Sequence, residues 1–391
     1  MYLAKRVKAL NPSSTLQITA LAKKLSQEGQ DIVSFGAGEP DFDTPDYIKE
    51  FAINAIRAGF TKYTPSTGII ELKKAICEKF KKENNLIYTP EQAVVSSGAK
   101  HCIFNIILAV VEEGDEVIIP APYWVSYPEM VTVARGVSKF VYTESANSFK
   151  ITPEKLEKAI TKKTKLFILN SPSNPAGAVY EKKELQGLAD VCVRHNIYIL
   201  SDEIYEKLIY GGLSHVSIAS FNEKVFDLTF TVNGVSKAYS MTGWRIGYFA
   251  GPLEAVEAIK NLQDHSTSNP CSIAQKAALC ALTTEGDWTE KMRLEFEKRK
   301  DYLCGRIDKI PALKYIKPNG AFYLFCDISK TGLNSSDFAI ALLKEAGVAV
   351  IPGAGFGCED YIRLSFAMKT ETISKGIDRL ELWLKQLPKK S

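Results

Sequence analysis

The 391-residue sequence predicts an α/β fold in which helices cover both faces of a mostly parallel central sheet. Short apolar runs rich in β-branched residues recur along the middle of the chain, and helical patterns separate several of them. This alternation is typical of parallel strands joined by crossover helices. The runs lie at 93–95, 116–119, 139–142, 166–169, 197–200 and 228–232, with helical patterns at 100–111, 156–160 and 184–194. Because ligands bind at the carboxyl ends of such strands, we expect functional side chains there.

The two ends of the chain differ in character from this middle part. The segment 288–310 is strongly charged and helical, AFYLFCDI and GVAVIPG indicate strands, and 372–387 predicts a closing helix. Near the amino terminus, a helical stretch at 15–27 precedes an irregular segment that ends in DFDTP. We therefore predict a large domain and a smaller α+β domain that both chain ends form together. The large domain spans 46–290, and the small one combines 1–45 with 291–391.

Composition and charge exclude several classes of protein. Hydrophobic residues make up 46% of the chain, which is typical of a folded globular protein. The net charge of +4 is small and dispersed, and this argues against a nucleic-acid partner. The best apolar run, 103–111, is far shorter than the roughly 20 residues that cross a membrane. No apolar segment follows the basic residues near the amino terminus, so we expect no secretory signal.

The cysteines and histidines predict neither a metal site nor disulfides. Eight cysteines stand singly with no CxxC pair, and the four histidines lack metal-ligand spacing. Several cysteines lie in apolar runs, where a thiol serves as a small hydrophobic group. We therefore expect reduced, mostly buried cysteines, no metal and a cytoplasmic protein.

The motif SDEIYE is the first candidate for chemistry. Asp202 follows the apolar run 197–200, which predicts its carboxylate at the end of a central strand. Tyr205 comes three residues later, close enough to share a face of the turn. Taken alone, an aspartate that caps a helix beside an incidental tyrosine is the simpler interpretation.

The segment VNGVSKAYSMTGWRIGY contains two unusually placed cations. Lys237 lies among small and apolar residues directly after a predicted strand. A lysine in such surroundings can have a lowered pKa and attack a carbonyl to form a Schiff base. Arg245 lies between Trp244 and Ile246, where it is either a structural ion pair or an anion clamp.

A strand-to-helix turn in SSGAKHC predicts a phosphate site. A strand is followed by Gly98 and Ala99, and a helix begins near Lys100. Backbone N–H groups and the helix dipole at such a turn attract anions. The sequence contains neither a P-loop nor a dinucleotide-binding glycine motif, so this turn by itself is weak evidence.

Together these segments resemble the class I, fold type I, pyridoxal-phosphate aminotransferases. The resemblance runs in the family's order over nearly the whole chain, through FGAGEPDFDTP, KYTPSTG, PYWVSYPEM, NSPSNPAGAVY, SDEIYE, SKAYSMTGWRIGY and YIRLSFA. The most similar branch is that of the bacterial aspartate aminotransferases, some of whose members also use prephenate. The resemblance implies pyridoxal 5'-phosphate as cofactor, amino acids and 2-oxo acids as substrates, and a homodimer with shared active sites.

The resemblance also implies the residues that hold the cofactor. Lys237 would form a Schiff base with it and move a proton in a ping-pong transamination. Asp202 would pair with the pyridine nitrogen, while Tyr205 and Asn174 would hydrogen-bond the phenolic oxygen of the ring. Trp124 would stack on the ring face. Contacts to the phosphate would come from Gly98, Ala99, Lys100, Ser236, Arg245 and Tyr63 of the partner subunit.

For the substrate, the resemblance implies an anchor and a source of specificity. Arg363 in YIRLSFA would take the α-carboxylate in a bidentate fork, which a lysine cannot form. The backbone of Gly38, the amide of Asn174 and the ring of Trp124 would complete this site. Lys100 matches the position where the aspartate branch has a lysine for the distal carboxylate. We therefore expect aspartate or glutamate as donor, with 2-oxoglutarate or oxaloacetate as acceptor.

Alternatives to this interpretation stay open at this point. The same cofactor residues occur in aminotransferases of prephenate, aromatic or other amino acids, and in carbon–sulfur β-lyases. Asn11 precedes Pro12 where prephenate-competent relatives carry lysine, which weighs against prephenate. Ser14 and Thr15 lie where the aspartate branch has further pocket contacts. A regulator fused to a DNA-binding domain would need an additional amino-terminal helix-turn-helix, yet the family's motifs begin by residue 34.

Overall fold

The computed structural model describes residues 2–12 and 14–387, and the side chains of Ser14 and Thr15 lie outside this description. The strands are β1 (Val33–Ser34), β2 (Ala93–Ser96), β3 (Glu116–Ala121), β4 (Val137–Tyr142), β5 (Thr164–Asn170), β6 (Tyr198–Asp202), β7 (Thr229–Gly234), β8 (Gly247–Ala250), β9 (Lys314–Tyr315), β10 (Tyr323–Asp327), β11 (Val348–Ala349), β12 (Ile351–Pro352) and β13 (Tyr361–Ser365). The helices are α1 (Lys5–Lys8), α2 (Ser14–Gln27), α3 (Asp46–Arg57), α4 (Ile70–Asn84), α5 (Ala99–Val110), α6 (Ser126–Val133), α7 (Pro153–Ala159), α8 (Lys182–His195), α9 (Glu223–Phe226), α10 (Val235–Ala238), α11 (Leu253–Ser266), α12 (Ser272–Thr283), α13 (Trp288–Ile307), α14 (Ser335–Ala346) and α15 (Thr370–Gln386).

Seven strands form the central sheet, in the order β2-β8-β7-β6-β5-β3-β4. The pairs from β7 through β4 are parallel, while β8 lies antiparallel to both β7 and β2. Each of the six apolar runs that predicted a strand overlaps one of these strands. This confirms the predicted α/β class. Strand β8 was not predicted, because its four residues GYFA are too short and too close to the preceding motif to stand out as a separate run.

Alternating side chains on the central strands pack against helices on opposite faces of the sheet. In β6, Leu200 belongs to the apolar cluster that contains α5 and α11 residues. Its neighbour Ile199 belongs to the cluster that contains α7 and α8 residues. Because strand side chains alternate, Asp202 faces the same side as Leu200, and Glu203 faces the opposite side. The sheet therefore directs the Asp202 carboxylate towards the amino-terminal end of α5.

The first and last parts of the chain meet in a second unit. Strand β1 pairs in parallel with β11, and β12, β13, β10 and β9 form a four-stranded antiparallel sheet. One apolar core joins Phe35, Phe296 from α13, Leu342 from α14 and Trp383 from α15. Residues from both ends of the sequence thus bury their apolar surface together, and the domain bounds at 45 and 290 stay predictions.

A buried polar network lies around the carboxyl end of β6. The Glu203 carboxylate accepts hydrogen bonds from Ser201 Oγ at 2.8 Å and Ser217 Oγ at 2.7 Å, and it pairs with His215 Nε2 at 2.8 Å. Burial alone would lower the pKa of His215, but the carboxylates of Glu203 and Glu206 together raise it above its ordinary value. Nearby, Glu206 forms a buried ion pair with Lys79. Burial alone would raise the pKa of Glu206, but the positive charges of Lys79 and His215 lower it to about 2.

The described helices give no sign of a membrane segment. Within residues 2–12 and 14–387, none of them combines the length and the apolar character that crossing a bilayer requires.

Candidate active site

A cavity of about 520 Å³ lies where the carboxyl ends of β5, β6 and β7 meet the second unit. This volume lies within the range of ordinary small-molecule sites. Side chains or backbone from far-separated parts of the sequence line it together. The predicted site residues that line it are Gly38, Ala99, Lys100, Trp124, Asn174, Asp202, Tyr205, Ser236, Lys237, Arg245 and Arg363.

Lys237 projects into the cavity from the short helix α10, directly after β7. Its Nζ donates a hydrogen bond to the backbone carbonyl of Gly38, and it lies 5.8 Å from the ring centre of Tyr205 and 5.6 Å from that of Phe322. Burial among these groups lowers the pKa of Lys237 to about 8. The cationic Arg363 also lowers it, because a second positive charge disfavours the protonated amine. A minor fraction of this amine is therefore uncharged and nucleophilic at neutral pH, and this fraction grows as the pH rises towards 8.

Asp202 ends strand β6 as a buried carboxylate. Tyr127 donates a hydrogen bond to its Oδ2 at 2.7 Å, and the backbone N–H of Ile204 donates to Oδ1 at 3.3 Å. Burial raises the pKa of Asp202 to about 6, although the hydrogen bond from Tyr127 opposes this rise. Asn170 Nδ2 donates to the Asp202 carbonyl at 3.0 Å and holds the strand end in place. A buried carboxylate that lines a cavity is suited to pair with a cationic group of a ligand.

Tyr127 contacts Asp202, although the sequence does not single it out as a site residue. It lies on α6, within the motif PYWVSYPEM that also supplies Trp124, and its ring packs edge-on against that tryptophan with centres 5.3 Å apart. Its side chain is buried, and it also lines the cavity. Its position three residues after Trp124 could have indicated a shared face, but nothing in the sequence connects it with Asp202.

Arg363 is a buried cation on β13. Its Nη1 donates to Asn174 Oδ1 at 2.9 Å, and its Nη2 donates to the Gly36 carbonyl at 3.3 Å, while Nε has no hydrogen-bond partner among the described residues. The guanidinium lies 4.3 Å from the ring centre of Tyr323. Within residues 2–12 and 14–387, no acidic side chain forms an ion pair with Arg363. Because an unpaired buried charge is costly, this site is suited to receive an anionic group from a ligand.

Tyr205 and Tyr323 meet in the lining of the cavity. Both side chains are buried, and their hydroxyl oxygens are 2.9 Å apart. Burial raises the pKa of both phenols, so both stay protonated at neutral pH. No feature of the sequence predicts a functional role for Tyr323, because its motif AFYLFCDI indicates an ordinary core strand.

The turn before α5 forms an anion-binding cradle. Gly98 precedes the helix with φ of +89°, which favours glycine, and a Cβ there would lie 2.4 Å from Arg245 Nη2. A Cβ on Gly247 would lie 2.1 Å from the backbone nitrogen of Ala99. Arg245 itself donates to the Thr242 carbonyl at 2.9 Å and the Ser97 carbonyl at 3.3 Å. The first turn of α5, with the arginine beside it, thus offers several donors to one anion.

Lys100 extends from the first turn of α5 towards Trp124. Its Nζ lies 4.9 Å from the indole ring centre, a cation–π distance. Burial lowers the pKa of Lys100, and the positive charge of Arg245 lowers it further. An additional anion in the cavity would relieve this repulsion between the cations.

Tyr63 and Asn11 lie away from the cavity. Tyr63 is 93% exposed in the single chain and does not line it. The contact of this tyrosine with a partner subunit stays a prediction. Asn11 instead binds α6, since its backbone N–H and its Nδ2 donate to the Glu129 carboxylate at 3.0 and 3.2 Å.

Comparisons with known proteins agree on one family. The family model of class I and II aminotransferases matches residues 30–380. The chain is 50% identical to an aspartate aminotransferase of Bacillus sp. (strain YM-2), covering 98% of this chain and 99% of that protein. It is 48% identical to a probable aspartate/prephenate aminotransferase of Aquifex aeolicus (strain VF5), covering 98% and 99%. Among solved structures, it is similar to the Thermus thermophilus aspartate aminotransferase with maleate, with a TM-score of 0.94, 44% identity, and coverage of 98% and 99%.

Proposed function

Because this chain belongs to the class I and II aminotransferases, we propose that it transfers the amino group between L-aspartate or L-glutamate and 2-oxoglutarate or oxaloacetate. One observation carries the proposal. In a single cavity, the Lys237 amine, with a pKa of about 8, lies with the buried Asp202 carboxylate and with the buried Arg363, which has no acidic partner among the described residues. A nucleophilic amine, an anion for a cationic ring and an anchor for a carboxylate are the three groups that such a transfer needs.

The residues of the cavity fit pyridoxal 5'-phosphate at its phosphate end. The first turn of α5 presents backbone N–H groups next to Gly98. The positive φ of Gly98 favours glycine, and a Cβ at this position would clash with the guanidinium of Arg245. Ser236 and Arg245 would supply further donors. The phosphate would thus be held by a cradle whose shape already depends on glycine.

The same cavity fits the ring of the cofactor. Asp202 would hold the pyridine nitrogen in its protonated form, and Trp124 would cover one ring face. Asn174 accepts from Arg363 through Oδ1, which leaves its amide N–H groups to donate towards the phenolic oxygen. Tyr205 would donate to the same oxygen. Each polar group of the ring therefore has a partner of suitable chemistry.

The bound cofactor supplies the electron sink that allows the Cα–H bond of the substrate to break. Lys237 has a pKa of about 8, so its amine would hold the cofactor covalently and, once released, would take the proton from Cα and deliver it to the cofactor carbon that carries the transferred nitrogen. Arg363 fixes the α-carboxylate of the substrate and thereby orients Cα towards the amine. Tyr127 holds the Asp202 carboxylate by its hydrogen bond at 2.7 Å.

The charge of the cavity supports a dicarboxylic substrate. Its lining includes four cations, Lys100, Lys237, Arg245 and Arg363, against two acids, Glu39 and Asp202. One phosphate and one α-carboxylate do not use all of these cations. Lys100 is the cation that stays available for a second carboxylate. This arrangement favours aspartate and glutamate over neutral amino acids.

We also propose a homodimer as the active unit, in which Tyr63 of each subunit completes the active site of its partner.

The test is a donor profile of the purified protein with pyridoxal 5'-phosphate and 2-oxoglutarate. We expect aspartate to be among the best donors, and borohydride treatment to attach the cofactor irreversibly to Lys237. Lys237→Ala should fold normally and lose transamination by orders of magnitude. A label on another lysine would overturn the assignment of Lys237. Faster turnover of alanine or an aromatic amino acid would overturn the dicarboxylate preference, and pyruvate released from cystathionine without a 2-oxo acid would favour a lyase.

A further inference from the structure

We propose that Tyr323 is a positioning residue with two separate functions: its hydroxyl orients the proton of Tyr205 towards the cofactor, and its ring holds Arg363 in place for the substrate carboxylate. The proposal rests on the proposed function, since both functions serve the same reaction. Tyr323 lines the cavity and is buried, and it contacts both of these residues directly.

The strand register explains why one side chain can contact both residues. Tyr323 is the first residue of β10, which pairs antiparallel with β13 so that Tyr323 lies opposite Ser365, and Phe325 lies opposite Arg363. All four side chains are therefore on the same face of this sheet. A diagonal neighbour two positions away is within reach of a long side chain, so the guanidinium of Arg363 lies 4.3 Å from the ring centre of Tyr323.

The hydroxyl function follows from counting protons. Each phenol has one proton to donate, and the two hydroxyl oxygens are 2.9 Å apart. If Tyr205 donates its proton to an acceptor in the cavity, the proton of this hydrogen bond must come from Tyr323. Arg363, the other polar neighbour of the Tyr323 ring, cannot accept one. A hydroxyl that accepts a hydrogen bond is also a stronger donor, so Tyr323 both directs and strengthens the bond from Tyr205.

The ring function follows from the surroundings of Arg363. The guanidinium is buried, donates to Asn174 and Gly36, and has an aromatic face on each of two neighbours, Tyr323 at 4.3 Å and Phe356 at 5.1 Å. Aromatic faces attract a guanidinium without using its donors, which stay available for a carboxylate. Replacing the ring by an aliphatic side chain should let the guanidinium move and weaken its hold on a substrate.

The two functions are separated by two kinds of substitution. Tyr323→Phe removes the hydroxyl and keeps the ring, whereas Tyr323→Leu and Tyr323→Met remove both. Tyr88→Phe is a matched control, because Tyr88 is buried and its hydroxyl is hydrogen-bonded to Thr231 Oγ1 at 3.0 Å, away from the cavity. All variants are loaded with pyridoxal 5'-phosphate and checked for folding by circular dichroism. The readouts are the pH titration of the bound cofactor's absorbance and the dissociation constant of maleate.

We expect Tyr323→Phe to raise the pKa of the absorbance titration by a few tenths of a unit to about one unit, because a hydrogen bond that favours the anionic phenolic oxygen is weakened. Its affinity for maleate should stay within about twofold of the parent chain, and Tyr88→Phe should change neither value. The aliphatic variants should raise the pKa in the same way and also weaken maleate binding by about 2- to 30-fold.

Each part of the proposal can fail separately. An unchanged titration in Tyr323→Phe would overturn the hydroxyl function, and unchanged maleate binding in either folded aliphatic variant would overturn the ring function. A parent chain that takes up no pyridoxal 5'-phosphate would overturn the proposed function itself, and the Tyr323 proposal with it. If the parent chain binds pyridoxal 5'-phosphate and all Tyr323 variants match it in both the absorbance titration and maleate binding, the Tyr323 proposal alone would be overturned.

Discussion

Removing the charge of Lys100 should selectively impair dicarboxylic substrates. This lysine lines the cavity, its Nζ lies 4.9 Å from the Trp124 ring centre, and burial together with the positive charge of Arg245 lowers its pKa. No acidic side chain among the described residues forms an ion pair with Lys100. Lys100→Met keeps most of the length and the contact with the indole ring while it removes the charge. The backbone of residue 100, which would contact the phosphate, is unchanged.

The size of the effect follows from the contact that is lost. A hydrogen bond between a lysine and a carboxylate contributes about 1.5–3 kcal/mol. This corresponds to about 10- to 150-fold in kcat/KM for aspartate. L-Alanine has no side-chain carboxylate, so its kcat/KM should change by no more than about twofold. The donor half-reaction alone, followed by the absorbance of the cofactor, measures both values without a dicarboxylic acceptor.

A second variant serves as the comparison for this prediction. Arg363→Lys removes the bidentate partner of the α-carboxylate, which all donors share, and should impair aspartate and alanine about equally. Equal losses of both donors in Lys100→Met would refute the assignment of this lysine to the distal carboxylate. An aspartate kcat/KM that falls by less than about threefold would refute it as well.

Three further predictions concern stability, electrostatics and assembly. Lys79→Met leaves the buried Glu206 without its ion pair and should lower the free energy of unfolding by about 3–5 kcal/mol at pH 7. Because the folded-state pKa of Glu206 is about 2, below its ordinary value, the ion pair with Lys79 stabilises the parent chain at neutral pH. The difference in melting temperature between the parent chain and Lys79→Met should therefore shrink as the pH falls below about 4. Tyr127→Phe removes a bond of 2.7 Å to Asp202 and should raise the pKa of this carboxyl from about 6 by about 1–2 units, which carbon NMR of labelled aspartates would detect; a value still near 6 would contradict the prediction. Tyr63→Phe should weaken cofactor binding by about tenfold without changing the sedimentation coefficient, which we expect to be that of a dimer, and a fully active monomer would exclude a shared site.

Sequence patterns determined six of the seven strands of the central sheet, because strand patterns depend on neighbouring residues. The apolar run 197–200 predicted β6, and its alternation alone places Leu200 and Asp202 on one face. Lys237 in SKAYSMTGWRIGY could be selected from the sequence as a candidate for Schiff-base chemistry, because its neighbours in the chain are small or apolar. The four residues GYFA are too few to show a clear periodicity, so strand β8 was not predicted. This strand lies between β2 and β7 and runs antiparallel to both.

Tertiary structure alone decided which side chains meet in the cavity. Tyr127 and Asp202 are 75 residues apart in the sequence, Tyr205 and Tyr323 are 118 apart, and Asn174 and Arg363 are 189 apart. No local pattern records such pairs, because each forms only when the sheet and the second unit pack against each other. The same packing buries Arg363 with no acidic partner among the described residues, and this burial supports the proposed role as a ligand anchor over that of an ordinary ion pair. Propensity and periodicity act over a few residues, whereas hydrogen bonding and burial depend on distances that only the folded chain sets.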